Sequence, residues 1–174
     1  MPEAPLVRRD GGLVPRGPGW FVVNAREARW HVSDRFGRAV KFEGDEPFAQ
    51  VGLNVRVLEP GEPACLYHGE ESEEHFLVVA GECLLLIEGE ERRLGPWDFV
   101  HCPPWVEHVL VGAGSGPCVL VAVGGRPSGE VRYPAGGIAE AHGAAAAAET
   151  DDPAEAYGPS RKRPAAYRPG DLPG

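Results

Sequence analysis

The segment Pro60–Gly81 reads PGEPACLYHGEESEEHFLVVAG and carries possible metal ligands at alternate strand positions. His68 and Glu70 are two residues apart, so in an extended strand their side chains leave the same face. Glu74 opens the next apolar run and could point to the same place from a neighbouring strand. Gly81 then closes that run at a turn. The segment therefore predicts ligands that converge from two strands.

A second segment adds one more possible ligand. Residues 98–108 read DFVHCPPWVEH, in which two prolines stiffen the loop before His108. Together the two segments suggest a metal ion held inside a small β-barrel.

The charge of the chain argues against two classes of partner. Its 174 residues carry a formal net charge of −9, whereas nucleic acids and anionic membranes are bound by clustered lysine and arginine. The short basic cluster at residues 161–163 lies near the C-terminus between prolines, and we expect it to be solvated. We therefore expect no nucleic-acid partner and no membrane partner.

The sequence shows no sign of export or membrane insertion. No apolar run approaches the ~20 residues that span a bilayer, and the N-terminus lacks the features of a secretory signal. These features predict a soluble, cytoplasmic protein. Buried reduced thiols are the simplest interpretation of the cysteines, which lie in predicted strands without CxxC spacing: Cys65, Cys83, Cys102 and Cys118.

The middle of the chain has the pattern of an antiparallel β-protein. Alternate valines and leucines from Val51 to Val57 are typical of a half-buried strand. Glycines mark most of the breaks, and short strands at such spacing favour an antiparallel sandwich or barrel. Further strands are predicted at residues 64–70, 75–80, 83–88, 91–94, 99–102, 107–112 and 118–123.

Three regions are expected along the chain. Residues 1–49 form an N-terminal arm, irregular at first, with short strands at 20–23 and 28–32 that pack on the barrel. Residues 50–125 form the barrel itself. Residues 126–174 form an extension rich in proline, alanine and glycine.

The extension is expected to be partly helical or extended and to wrap the barrel or a partner subunit. One helix is predicted over residues 138–149, although Gly143 interrupts it at a cost of ~1 kcal/mol. Residues 151–153, Asp-Asp-Pro, would end that helix.

The two opening segments resemble the two motifs of the cupin superfamily. The first family motif runs from a glycine through His-x-His and a glutamate to a second glycine, and residues 61–81 follow nearly that spacing. The second runs Gly-Asp, Pro-x-Gly and His, and residues 97–108 follow it. The resemblance covers residues 50–125 and implies an all-β fold, a small antiparallel β-barrel or jelly roll. The surrounding sequence is similar to bacterial single-barrel cupins of undefined activity.

Three residues depart from the family pattern. Glu70 stands in place of the second histidine, Trp97 in place of the glycine before Asp98, and Trp105 in place of the later glycine. The two tryptophans affect the shape of loops, whereas Glu70 changes the metal site.

The resemblance implies that His68, Glu70, Glu74 and His108 bind one divalent transition metal. Two carboxylates would neutralise the ion, and oxygen ligands favour Zn, Mn or Fe over copper. If Glu70 leaves the ion, the other three form the two-histidine, one-carboxylate set of non-haem iron oxygenases. Glu70 would then be free as a catalytic acid or base.

Other side chains near these ligands are candidates for a substrate pocket. Tyr67, His101 and Trp105 flank the ligands and are predicted to line the pocket. His75 follows Glu74 directly, so on a regular strand it faces away, and we expect it at the surface or at an interface.

Two classes of function remain open. The first is a metal-dependent enzyme on a small organic molecule, which would be a dioxygenase or decarboxylase with Fe or Mn, or an isomerase or lyase with a purely Lewis-acidic metal. The second is a non-catalytic cupin that senses or sequesters a small ligand. Because open antiparallel edges need covering, we expect a homodimer.

Overall fold

The structure is a computed structural model that describes residues 1–126, 129–159 and 161–174. The described chain is mostly β-strand, with two short helices near its C-terminus. The strands are β1 (Leu6–Arg9), β2 (Gly12–Pro15), β3 (Trp30–Ser33), β4 (Arg38–Lys41), β5 (Val51–Leu58), β6 (Gly69–Glu70), β7 (Glu74–Ala80), β8 (Glu82–Ile87), β9 (Glu90–Leu94), β10 (Phe99–Cys102), β11 (His108–Ala113), β12 (Cys118–Gly125), β13 (Val131–Arg132) and β14 (Lys162–Ala165). The helices are α1 (Gly137–Ala141) and α2 (Pro153–Tyr157).

Two antiparallel sheets form the body of the protein. The larger has the order β10-β7-β12-β5-β4-β3-β14, and the smaller has the order β11-β8-β9. Strands β7, β12 and β5 lie side by side within the larger sheet and are joined in long antiparallel registers. The predicted all-β fold, an antiparallel barrel of the jelly-roll type, is confirmed.

The main core contains side chains from both sheets. Phe76 and Val78 of β7 belong to one buried apolar cluster with Leu85 of β8 and Leu110 of β11. Burial of each large apolar side chain contributes roughly 1.5–3 kcal/mol, so this cluster is a main source of stability. The inward face of β7 changes from apolar to charged at Glu74, the first residue of the strand.

The C-terminal extension covers the outside of the smaller sheet. Leu86 of β8 and Val109 of β11 belong to a second buried cluster. Their chain neighbours Leu85 and Leu110 point the other way, into the main core. Tyr67, Ala139 of α1 and Ala144 pack in this outer cluster. Farther along, β14 pairs with β3 at the edge of the larger sheet. The extension therefore lies against both sheets.

The N-terminal arm contains regular structure that the sequence pattern does not predict. Strands β1 and β2 form an antiparallel hairpin that turns at Asp10 and Gly11. Gly11 and the next residue, Gly12, have φ of 89° and 145°. A Cβ on Gly12 would lie 2.3 Å from the carbonyl oxygen of Ala28, so the hairpin backbone packs closely on the segment before β3. The strand predicted at residues 20–23 is reduced to an isolated bridge between Trp20 and Glu3.

The helix predicted over residues 138–149 is wrong beyond its first turn. Helix α1 ends at Ala141, and Gly143 follows in the left-handed region with φ of 64°. The fully buried Ala144 then donates its N–H to Ala139 and accepts a hydrogen bond from the N–H of Tyr67. Packing of the alanine run against the barrel therefore overrides its helix propensity.

Residues 151–153 begin a helix instead of ending one. The carboxylate of Asp152 accepts a hydrogen bond from the N–H of Ala154 at 2.8 Å, and Pro153 occupies the first helical position of α2. Neither helix in the described residues has the length and apolar character needed to cross a membrane.

Candidate metal centre

Backbone pairing brings the two predicted histidine ligands together. His68, just before β6, and His108, the first residue of β11, form an isolated antiparallel bridge. Each N–H donates to the carbonyl of the other residue, at 3.2 Å from His68 and 2.9 Å from His108. Their imidazole rings lie 5.2 Å apart between centroids. The two histidines are thus held as a cross-strand pair.

Glu74 completes a compact group with these histidines. Its Oε2 lies 3.3 Å from Nε2 of His68 and 3.0 Å from Nε2 of His108. All three ligand atoms lie within 4.8 Å of one another. Both histidines are buried and Glu74 is half-buried, so the three side chains converge in a partly enclosed space. We call this group the triad.

Backbone carbonyls orient both imidazoles. Nδ1 of His68 lies 2.8 Å from the carbonyl oxygen of Leu66, and Nδ1 of His108 lies 2.9 Å from that of Val106. A carbonyl is an acceptor, so Nδ1 carries the proton and donates it. In the neutral tautomer this leaves the Nε2 lone pair of each ring directed at Glu74. This is the orientation that protein backbone gives to metal-binding histidines.

Two atoms of the triad lack hydrogen-bond partners. Glu74 Oε2 and His108 Nε2 are both buried, and neither has a well-directed partner among the described residues, although they lie close together. Burial of a carboxylate costs several kcal/mol unless a positive charge balances it, and here that charge is either a proton on the imidazoles or a metal cation. A cation between these atoms would satisfy both, so the residues present fit a metal ion.

Glu70 lies at the side of the triad. Its Oε2 is 3.9 Å from Nε2 of His68, and it falls outside the compact group of three ligand atoms. The structure therefore brings three of the four predicted ligands together and leaves Glu70 next to them. Burial and then the negative charge of Glu74 raise the pKa of Glu70 to about 7.

Comparison with known proteins assigns the barrel to a family. The family model named Cupin domain matches residues 54–124, which include the whole triad. Residues 54–124 therefore form a cupin domain. No curated protein sequence matches this chain significantly.

Solved structures share the fold of this chain. The polyketide cyclase RemF from Streptomyces resistomycificus is 17% identical, over 60% of this chain and 78% of that one, with a TM-score of 0.52. A cupin-like protein from Thermotoga maritima is 20% identical, over 67% of this chain and 88% of that one, with a TM-score of 0.51. At these identities the similarity shows the fold alone.

A third solved structure is similar over a smaller share of both chains. A putative sugar phosphate isomerase from Acidithiobacillus ferrooxidans is 22% identical, over 55% of this chain and 64% of that one, with a TM-score of 0.46. The cupin thus spans less than two thirds of the length of that protein.

Charge coupling within the triad favours ionised groups despite burial. Burial alone would raise the pKa of Glu74, but the neighbouring imidazoles of His108 and His68 lower it to about 2. Burial alone would lower the pKa of His108, but Cys102 and Glu74 raise it to about 10. The pKa of His68 is also raised, because Cys65 and Glu74 outweigh the effect of burial.

Tyr67 does not line the barrel interior, contrary to prediction. Its ring packs in the outer cluster with Leu86 and Val109, and its hydroxyl accepts a hydrogen bond from the N–H of Gly89 at 3.2 Å. Successive residues of an extended chain face opposite sides, so the inward direction of His68 sends Tyr67 outward.

His101 is likewise outside the barrel interior, and its assignment to the pocket is wrong. On β10 its neighbours Val100 and Cys102 belong to the main core, so His101 faces outward. It stacks on His75 with ring centroids 4.8 Å apart, and its Nδ1 lies 3.0 Å from Nε2 of His75. With Glu73 these residues form an exposed group with ligand-like spacing, here called the outer group.

Trp105 lines a cavity, but on the other side of β6. This cavity of about 280 Å³ is shared with Gly69, Glu107 and Arg132. The N–H of Trp105 donates to the carbonyl of Glu70 at 2.7 Å. Trp105 therefore supports the strand from the Gly69 side, opposite the side chains that form the triad.

The sequence pattern missed aromatic residues beside the triad. The ring of Tyr133 lies 5.9 Å from that of His68, and Tyr157 packs edge-on against Tyr133 at 5.6 Å. Phe76 packs edge-on against His108 at 5.3 Å. Tyr133 and Tyr157 come from the extension, and the available signal was their aromatic character within a segment rich in small residues.

Metal binding should strengthen as the pH rises. Because the pKa of both triad histidines is raised, protons occupy the site in the metal-free protein and must leave before Nε2 can bind a cation. Titration of metal-free protein with Zn²⁺ by calorimetry, in buffers of different ionisation enthalpy, should show proton release and tighter binding between about pH 6 and pH 9. An affinity that does not vary over this range would contradict the prediction.

Replacement of single histidines should separate the triad from the outer group. His108→Ala removes one of three ligands and should abolish metal retention, whereas His75→Ala should leave retention unchanged. Elemental analysis of both variants, purified like the wild type, measures this. Loss of metal in His75→Ala but not in His108→Ala would show that the outer group is the metal site.

Proposed function

We propose that this cupin is a metal-dependent enzyme that acts on a small organic molecule. One divalent transition ion, Zn, Mn or Fe, would be held by Nε2 of His68, Nε2 of His108 and a carboxylate oxygen of Glu74. The observation that carries the proposal is the convergence of these atoms, two of which are buried without a hydrogen-bond partner in the described part of the chain. Three protein ligands leave coordination positions open, as in catalytic metal sites.

The residues around the triad would have different roles in the reaction. When bound, the metal supplies Lewis acidity that polarises an oxygen of the substrate. Phe76 and Tyr133 present aromatic surface on different sides of the histidines and exclude water from them. Glu70 stands next to the triad without belonging to it, so it is available for proton transfer.

The position of Glu70 suits it to act as an acid or base. Its carboxylate lies 3.9 Å from the imidazole of His68 without belonging to the triad, so it can take a proton from a substrate bound there and return it. We therefore favour chemistry of the isomerase or lyase type, in which a proton is removed next to a polarised oxygen. Oxygenase chemistry is the alternative, since two histidines and one carboxylate also suit iron.

Metal content is the experiment that tests the proposal first. Protein purified without added metal should hold a transition metal, or take one up on titration, in a ratio near one per chain. Less than about 0.1 equivalent with no uptake would overturn the enzyme proposal and favour a cupin that only binds small ligands.

Glu70→Gln should separate acid–base chemistry from metal binding. The amide cannot take up the proton, so turnover should fall roughly 10²–10⁴-fold while metal content stays unchanged. Proton exchange of small carboxylates and enols in D₂O, followed by NMR, measures the activity. The matched control is Glu73→Gln, which alters an exposed glutamate of the outer group. If Glu70→Gln loses the metal, Glu70 is a fourth ligand and not the acid or base.

We also propose that two copies of the chain pair through β10. This strand forms one edge of the larger sheet, and beside it Phe99 and Trp97 are 63% and 74% exposed. An open edge with large exposed apolar side chains is a typical site of association.

Phe99→Glu should convert a dimer into a monomer, because it places a charge where the proposed partner packs. Val22→Glu makes the same change at another exposed apolar residue and should have no effect. Light scattering measures the mass. A wild-type mass of one chain, or equal behaviour of the two variants, would refute pairing through β10.

A further inference from the structure

A second cavity lies on the face of the larger sheet that also carries Glu74. Its volume is about 370 Å³, which is within the range of small-molecule sites. Its lining comes from β3, β4, β5 and β14, together with the turn between β3 and β4. None of the triad residues is part of this lining. We call it the basic cavity.

The registers of four strands place its side chains on one face. Ala39 of β4 lies opposite Arg56 of β5 and opposite His31 of β3, and His31 in turn lies opposite Pro164 of β14. Directly paired residues of an antiparallel sheet point to the same face. Lys162 is two residues from Pro164 and therefore shares that face.

The basic cavity gathers positive charge in an acidic protein. Lys41, Arg56, Lys162 and His31 line it, one from each of the four strands, and none of the other lining residues is acidic. The net charge of the chain is −9, so chance would favour carboxylates here. In the part of the chain that the structure describes, these four side chains form no ion pair with a carboxylate.

The electrostatics show that the charges are crowded. Burial lowers the pKa of His31, and the positive charges of Arg29, Lys41 and Lys162 lower it further. Partial burial likewise lowers the pKa of Lys162, with Arg56 and Lys41 acting in the same direction. A bound anion would reverse this repulsion and stabilise the charged forms.

Two further features suit the body of an organic anion. Oδ1 of Asn54, one of the lining residues, is buried and has no hydrogen-bond partner among the described residues, so this acceptor can bind a donor such as a ligand hydroxyl. The second feature is apolar. Phe36 is buried and forms an apolar wall of the cavity together with Ala39 and Pro164. The lining thus combines cations, an amide and an apolar wall.

We propose that the basic cavity binds a small organic molecule that bears a phosphate or carboxylate group. Arg56 is the fixed donor, since its Nη1 already bonds the carbonyl of Ala64 and the guanidinium retains further donors. Lys41 and Lys162 are exposed at the mouth and attract the anion. Phe36 contacts the body of the molecule.

The proposal does not depend on the metal. Cys65 follows Ala64 in the chain, and its Sγ lies 3.8 Å from Nδ1 of His68, so the two sites are near each other. They nevertheless use different side chains. A variant that loses the metal should therefore keep the anion site.

Anion titrations test the proposal. Inorganic phosphate, phenyl phosphate and malonate are titrated into full-length wild type and into His108→Ala by calorimetry, and backbone NMR shifts locate the site. We expect saturable binding of at least one anion in both proteins, with shifts in β3, β4 and β14. Tighter binding of phenyl phosphate than of inorganic phosphate would reflect the apolar wall, and preference for malonate would identify a carboxylate ligand.

Charge reversal on β14 supplies a matched pair of variants. Lys162→Glu faces the basic cavity, whereas Arg163→Glu makes the same charge change on the next residue, which faces the other side. We expect Lys162→Glu to weaken binding about tenfold or more and Arg163→Glu to weaken it less than about twofold. Lys41→Glu should act like Lys162→Glu and repeats the test on another strand.

Four results would overturn the proposal. The first two are absence of saturable binding for all three anions in wild type and in His108→Ala, and equal weakening of binding by Lys162→Glu and Arg163→Glu. The third is a set of NMR shifts confined to residues around the triad. The fourth is binding lost only in His108→Ala, which would place the anion at the metal. If the wild type holds and takes up no metal but still binds the anion, the enzyme proposal is wrong and the anion-site proposal is supported.

Discussion

The burial of one carboxylate between two imidazoles is the constraint around which the site is built. Glu74 begins a strand whose next inward residues are apolar, so its charge must be balanced nearby. An unpaired charge at such a position would cost several kcal/mol, a large part of the stability of a domain of this size. The backbone bridge between His68 and His108 holds the two compensating rings in place. Gly124 leaves room for this arrangement, because a Cβ there would lie 3.2 Å from Oε1 of Glu74.

Much of the barrel and the triad could be predicted because both depend on local spacing. A strand with alternating apolar and polar residues can be predicted from its sequence, and the alternation also predicts which face of the strand a ligand occupies. His68 and Glu74 were therefore accessible from spacing, and His108 from the motif that contains it. The separation of Glu70 from the triad could not be predicted, because it depends on the pairing of the two-residue strand β6 with β13.

The errors arose where the direction of a side chain depends on distant parts of the chain. Tyr67 packs outward because Ala144, 77 residues later in the sequence, lies against it. His101 faces outward because the register of β10 with β7 places it opposite His75. The alanine run was assigned to a helix by propensity, but tertiary packing decided its conformation. Tyr133 and Tyr157 belong to the same docked extension, which local patterns do not place.

The placement of charge gives the molecule a means of selecting among anions by size. Its exterior is acidic overall, whereas three cationic side chains and a histidine line one recess of the larger sheet. Screening at physiological ionic strength limits each charge to a range of about 8 Å. A polyanion longer than this range would meet many surface carboxylates at once, whereas a metabolite-sized anion inside the recess would meet mainly the cations. The net charge from which we expect no nucleic-acid partner is thus compatible with the entry of small acids.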